Sequence, residues 1–132
     1  MQIVENDLSV EEYRMLRKIC GLSEKTIEAA VKGLNNSLYA VKLLHEGKTI
    51  GMGRMIGDGG AFCQVVDICV LPEFQGQGMG KMIMDKLMEF AETLPSSCYI
   101  SLIADGDAHK LYRKFGFEDV YPISRGMGFR IP

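Results

Sequence analysis

The stretch Val65-Val66-Asp67-Ile68-Cys69-Val70-Leu71-Pro72-Glu73-Phe74-Gln75-Gly76-Gln77-Gly78-Met79-Gly80-Lys81 decides the fold. Its first part belongs to a nearly continuous apolar and β-branched run, Ala61 to Leu71, broken by Gln64 and Asp67. Such a run predicts a strand buried on both faces, at the centre of a sheet. Pro72 stops the strand, because it has no amide hydrogen to give a ladder. Glycines then stand at alternate positions, 76, 78 and 80, and lead into a helix.

That helix is predicted from Gly78 to Leu94. Met79, Ile83, Leu87, Phe90 and Leu94 form its apolar stripe, and Lys81, Asp85, Lys86, Glu89 and Glu92 lie mostly opposite. Pro95-Ser96-Ser97 breaks it, and Cys98–Ala104 reads as a further strand. Upstream, Ser37–His45 and Thr49–Ile56 read as a hairpin around Glu46-Gly47-Lys48, and Gly57-Asp58-Gly59-Gly60 is a second turn. Near the start, Ile3-Val4-Glu5 is a short strand. Ser9-Val10-Glu11-Glu12 fits a capping box for a first helix, and Ser23 is placed to cap a second, whose Ile27, Ala30, Val31 and Leu34 share a face. Downstream, Asp107 is placed to cap a short helix, Ala108 to Phe115. Phe117–Val120 and Gly126–Ile131 read as closing strands. The order predicts a single mixed α/β domain over residues 1–132. Its sheet is mainly antiparallel and flanked by helices, with one parallel pair joined through the helix from Gly78.

Composition narrows the function. Fifteen Lys and Arg against seventeen Asp and Glu leave a formal charge of −2, without the basic excess of a dedicated nucleic-acid binder. No stretch approaches the roughly 20 apolar residues of a membrane span, and no leader-like segment opens the chain, so the expectation is a cytoplasmic protein with no membrane partner. Cys20, Cys63, Cys69 and Cys98 are scattered without a CxxC pair, and His45 and His109 lie far from them. That spacing argues against a metal site and for reduced thiols.

The glycine segment carries the chemistry. Glycines leave no side chain over the main-chain amides, so several N–H groups can converge on one anion at the positive end of the helix dipole. The first turn contains no Asp or Glu and carries Lys81 instead, an arrangement unfavourable to an isolated helix and favourable beside a phosphate. A Walker loop requires Ser or Thr after the lysine, and here Met82 follows Lys81. The dinucleotide pattern GxGxxG is replaced by GxGxG.

Gln75-Gly76-Gln77-Gly78-Met79-Gly80 resembles the Q/R-x-x-G-x-G/A signature of GCN5-related N-acetyltransferases, with Val70-Leu71-Pro72 ahead of it. Ala108-His109-Lys110-Leu111-Tyr112-Arg113-Lys114-Phe115-Gly116-Phe117 is similar to the family's A-x-x-L-Y-x-K-x-G-F segment. The resemblance runs from about Leu38 to Phe117. It implies acetyl-CoA as co-substrate, without a metal, in a V-shaped opening between the parallel strands Ala61–Leu71 and Cys98–Ala104. Carried onto this chain, the amides of Gln75, Gly76, Gln77, Gly78, Met79, Gly80 and Lys81 would hold the diphosphate. Backbone groups of Cys69 and Val70 would pair with the pantetheine arm, and the Val70 amide would face the thioester oxygen. Asp105 would orient cofactor amides, and Tyr112 would protonate the departing thiolate. The implied acceptor is a small-molecule or peptide amine, and a homodimer is consistent with the resemblance.

Two residues carry competing expectations. Asp67 interrupts an apolar strand, where an unpaired carboxylate is costly. It is either a base facing the amine or the ion-pair partner of Arg54. Tyr112 is either the proton donor or a core tyrosine. Cys69 reads as a small hydrophobe rather than an acylated nucleophile, since no histidine base is near it in sequence. Gly21–Asn36, Gly57–Gly60 and Tyr121–Pro132 are expected to frame the acceptor. The rival functions are a non-catalytic acyl-CoA sensor using the same loop and, more distantly, another kind of nucleotide-binding domain.

Overall fold

The computed structural model describes residues 1–132, which fall into two compact units, Met1–Leu102 and Ile103–Pro132. The first unit is built on five strands in the order β1-β2-β3-β4-β5: β1 Gln2–Glu5, β2 Tyr39–His45, β3 Lys48–Gly57, β4 Phe62–Val70 and β5 Tyr99–Ser101. Every neighbouring pair is antiparallel except β4 and β5. Helices α1 Val10–Ile19 and α2 Ile27–Asn35 precede β2, and α3 Met79–Ala91 connects β4 to β5.

Local sequence explains most of these elements. Ser9 Oγ accepts from the Glu12 amide while the Glu12 carboxylate accepts from the Ser9 amide, so the expected capping box starts α1. The β2–β3 hairpin turns through Glu46 and Gly47, both at positive φ, as a two-residue turn matched to strand twist requires. Asp58 closes the β3–β4 turn by accepting from the amides of Gly60, Ala61 and Phe62 at 2.8–3.0 Å. Those bonds hold its carboxyl below the usual carboxylate range, the Phe62 amide contributing most.

Alternation along β3 sorts the layers. A Cβ on Gly53 would lie 2.6 Å from both Ile68 Cδ1 and Ile83 Cγ2, and one on Gly51 would lie 3.2 Å from Ile83 Cδ1. Both glycines therefore face α3 and let it approach closely. Ile83, Met84 and Leu87 of α3 are fully buried there. Met52 and Arg54 alternate to the opposite face, where Arg54 lies over the Tyr13 ring of α1 and donates to Gly33 O of α2. The unit is a helix–sheet–helix sandwich whose innermost side chains include Leu16, Leu43, Ile50, Met55 and Leu71.

Several expected boundaries are corrected. Thr26, not Ser23, caps α2, its Oγ1 accepting from Ala29 N at 3.1 Å, because Ser23 is taken by Arg17. Only Ala30 of the anticipated α2 face is buried, and Ile27 and Val31 are exposed. Helix α3 stops at Ala91, three residues early, and Glu92–Leu94 continue only as tight turns. Strand β5 keeps three of the seven residues predicted for Cys98–Ala104.

In the second unit, α4 spans His109–Arg113, inside the Ala108–Phe115 expected, and Asp107 makes no capping bond. Phe117–Val120 and Gly126–Ile131 form no strand. Apolar alternation signals which face a strand would bury, but a strand also requires a neighbouring edge to bond to. No helix of the chain is long and apolar enough to cross a membrane.

Candidate active site

Pairing between β4 and β5 is limited to Phe62↔Tyr99, Cys63↔Ile100 and Gln64↔Ser101. From Val65 onward β4 keeps only β3 as a partner, so its other edge is open. The orientation of that edge follows from one hydrogen bond. The Leu71 amide donates to Ile50 O at 2.8 Å, toward β3. Backbone groups alternate along a strand, so the amide and carbonyl of Val70 point the opposite way, to the open side. Gln75 Nε2 indeed donates to Val70 O at 3.0 Å and ties the glycine loop to the strand's end.

Beyond a 3-10 turn at Pro72–Phe74, the chain passes Gly76 and Gly78, both at positive φ, into α3. Gly78 is the N-cap at φ 82°, with no side-chain cap and no acidic residue in the first turn. The Gln75 amide bonds Pro72 O and the Met82 amide bonds Gly78 O. Between them, the amides of Gly76, Gln77, Gly78, Met79, Gly80 and Lys81 donate to no protein group. Cβ atoms added at Gly76 or Gly78 would meet nothing within 4 Å. Six consecutive donors at a helix N-terminus, left uncovered, fit a diphosphate in size and sign.

Opposite Gly53, β4 carries a bulge: Met52 pairs with Cys69 and Arg54 with Val66, so Asp67 and Ile68 share one partner position. Asp67 sits at φ 61°, a conformation costly for a residue with a side chain. The bulge aims its carboxylate at the α1–α2 layer. Arg17 Nη1 donates to Asp67 Oδ1 at 2.5 Å, and Arg54 Nε and Tyr13 Oη donate to Oδ2 at 2.7 and 3.0 Å. The Asp67 side chain is 6% exposed and those of Arg17 and Arg54 are 9% each. Both guanidiniums lie over the Tyr13 ring, at 5.7 and 5.3 Å from its centroid. Their remaining bonds run to Ser23 from Arg17 and to Gly33 O and Ser37 from Arg54. Burial, then the Asp67 charge, push the Tyr13 phenol above its ordinary value.

Asp67 therefore meets Arg54, one of its two expected roles, and also Arg17 and Tyr13, which the sequence did not bring forward. Cys69 is buried near Cys20, whose thiol together with burial pushes the Cys69 thiol far above the ordinary range. It is a protonated apolar side chain rather than a nucleophile. Asp105 and Tyr112 belong to the second unit. Tyr112 is buried on α4 with Phe117 edge-on at 6.4 Å. Burial, and after it the charge of Asp105, raise its phenol. No group of three or more His, Cys, Asp or Glu side chains is arranged to hold a metal ion.

The sequence profile of the acetyltransferase (GNAT) domain matches residues 35–119. An uncharacterized N-acetyltransferase, ycf52 of Pyropia yezoensis, is 26% identical over 115 residues, covering 84% of this chain, which spans 66% of that relative's length. A protein of unknown function from meticillin-resistant Staphylococcus aureus, described as a probable acetyltransferase, is 46% identical, with a TM-score of 0.92 over 98% of this chain and all of that one. A Clostridium acetobutylicum protein, described as a "predicted acetyltransferase with acetyl-CoA", shares the fold at 14% identity, with a TM-score of 0.70 over 96% of each chain. The mixed sheet with its parted β4–β5 pair and the match over residues 35–119 give one conclusion: the chain belongs to the GNAT acetyltransferase family.

Proposed function

We propose that this chain moves an acetyl group from acetyl-CoA to a primary amine by direct attack within a ternary complex. The observation that carries the reading is the run of six uncommitted amides from Gly76 to Lys81 at the start of α3. The Clostridium relative described with acetyl-CoA supports the choice of anion.

In this reading the amides of residues 75–81 and the Lys81 ammonium hold the diphosphate. Val70 offers its main-chain amide to the pantetheine arm along the open edge of β4, whereas the same alternation turns the main-chain groups of Cys69 toward β3, so Cys69 does not fill the role the resemblance implied for it. The Val70 amide faces the thioester oxygen, where a fixed donor stabilises the charge that develops during attack. The amine nitrogen bonds to the thioester carbon and gives up a proton to solvent water, the carbon–sulfur bond breaks, and Tyr112 gives its phenolic proton to the leaving sulfur and regains one from water. Burial and the negative Asp105 favour the neutral phenol and so keep that proton in place. Asp105 also orients cofactor amides. Asp67 is a positioning residue rather than the base, because both of its oxygens are engaged by cationic or hydroxyl donors. Holding amine and thioester side by side supplies much of the rate.

The test is calorimetric titration with acetyl-CoA, followed by a CoA-release assay across small amines, aminoglycosides and peptide N-termini. Binding and turnover with one class support the proposal. Binding without turnover of any amine favours a sensor, and no heat from any CoA species removes the assignment of the loop.

A further inference from the structure

We propose that Cys63 and Cys98 form a disulfide under peroxide, a reversible staple between β4 and β5 at the closed end of their parting. Cys98 donates its thiol hydrogen to Cys63 Sγ at 3.7 Å, although the two residues stand 35 positions apart. The sheet register makes that contact. Cys63 pairs with Ile100 of β5, and Cys98 lies two residues before Ile100, so its side chain leaves the same face. The Tyr99 amide fixes the approach by donating to Ala61 O at 2.8 Å. On its other side Cys63 pairs with Gly57 of β3. A Cβ at Gly57 would lie 3.1 Å from Cys63 Sγ, so the missing side chain leaves that sulfur room to turn. Disulfide sulfurs are about 2 Å apart, a closure that side-chain torsions supply where the backbones are already neighbours.

Access divides the roles. Cys63 is buried and Cys98 is half-buried, so a peroxide meets Cys98 first. The Cys98 sulfur takes one peroxide oxygen as the O–O bond breaks, giving a sulfenic acid and a first water. The Cys63 sulfur then attacks that sulfur, the S–O bond breaks, and the Cys63 proton leaves in a second water. Two thiols are oxidised and one peroxide is reduced, and a dithiol reductant reverses the bond. Burial, then the Cys63 thiol and the Asp58 charge, hold the Cys98 thiol above its ordinary value, so few thiolates stand ready and the pair resists casual oxidation. The staple matters because three residue pairs are all that join β4 to β5. The bond also closes a loop that contains the glycine segment and α3, which cuts the freedom of the unfolded chain.

Oxidation of the unsubstituted protein is the test. Millimolar hydrogen peroxide, followed by alkylation in denaturant, should leave two of the four cysteines unalkylated, with tandem mass spectrometry joining Cys63 to Cys98. The linked form should melt roughly 10 °C higher than the reduced one and return to the lower value with dithiothreitol. Deuterium exchange at the amides of Phe62–Gln64 and Tyr99–Ser101 should slow in the same step. Cys98→Ser should lose both the link and the gain in melting temperature, whereas Cys20→Ser, whose thiol meets Cys69 instead, should keep both. Failure to form the link overturns the proposal. So does a link that joins Cys20 to Cys69 in its place, or a linked chain that melts no higher than the reduced one. None of these readouts involves a coenzyme, so they stand or fall apart from the role of the glycine loop.

Discussion

Replacing Asp67 tests the centre of the structural argument. Asp67→Ala leaves Arg17 and Arg54, each 9% exposed at the side chain, facing one another with like charge and no anion between them. Breaking a buried ion pair by removing one partner costs about 3–5 kcal/mol. Alanine also tolerates the positive φ less well than aspartate, which adds on the order of 1 kcal/mol. Asp67→Asn keeps the shape and the conformational tolerance while losing the charge, so its cost should be about 2–3 kcal/mol, the worth of charge-assisted hydrogen bonds. At this chain length each kcal/mol moves the melting temperature by roughly 3–5 °C, so the alanine variant should melt on the order of 15 °C lower. Urea unfolding followed by circular dichroism gives both values, with an unchanged slope showing that the unfolded state has not shifted. Adding Arg17→Met to Asp67→Ala removes one stranded cation and should return more than about 1 kcal/mol as coupling. Losses below about 1 kcal/mol in both single variants, with turnover abolished, would refute the bracing role and restore Asp67 as a base.

Four further outcomes follow from particular residues. Burial pushes the Glu12 carboxyl up, but hydrogen bonds from Thr49, the Ser9 amide and Lys42 outweigh it and hold the group at about 2 instead of 4.5. A folded value below the unfolded one means that Glu12 stabilises fully above pH 4.5 and loses that contribution as pH falls toward about 2; the urea midpoint should drop through this window and flatten there in Glu12→Gln. Gly78→Val, at φ 82° with open space around its Cβ, should cost about 1–2 kcal/mol in stability yet weaken CoA at least tenfold in calorimetry, and equal affinity would argue that the amides do not face the ligand. Tyr112→Phe should lower kcat about 100-fold or more with KM for acetyl-CoA little changed. Because burial and then the Asp105 charge raise the Tyr112 phenol, Asp105→Asn should move the alkaline limb of the unsubstituted profile to lower pH, and an unmoved limb would count against Tyr112 as the acid.

What the sequence disclosed and what it withheld divide by range. The Ser9–Glu12 cap, the Glu46-Gly47 turn and the glycine start of α3 are set by residues within four positions of one another, and all are present. Ser23 misled as a cap because Arg17, six residues earlier, draws it into a tertiary bond, and Thr26 then serves α2. Asp67 was conspicuous as a charge in an apolar run, but Arg17 lies 50 residues away and no local pattern couples them. The bulge that turns Asp67 inward was equally hidden, since the run 61–71 reads as uninterrupted strand. The closing segments 117–120 and 126–131 show the complementary error. Alternation was legible, and the edge a strand requires was not.

One consequence concerns breathing motions. A single carboxylate on β4 fastens α1 through Arg17 and Tyr13, and through Arg54 it reaches the last turn of α2 at Gly33. Neither helix can swing free without breaking the same charged knot. Slow amide protons of α1, α2 and the middle of β4 should therefore exchange with deuterium in one concerted event, at one shared opening free energy.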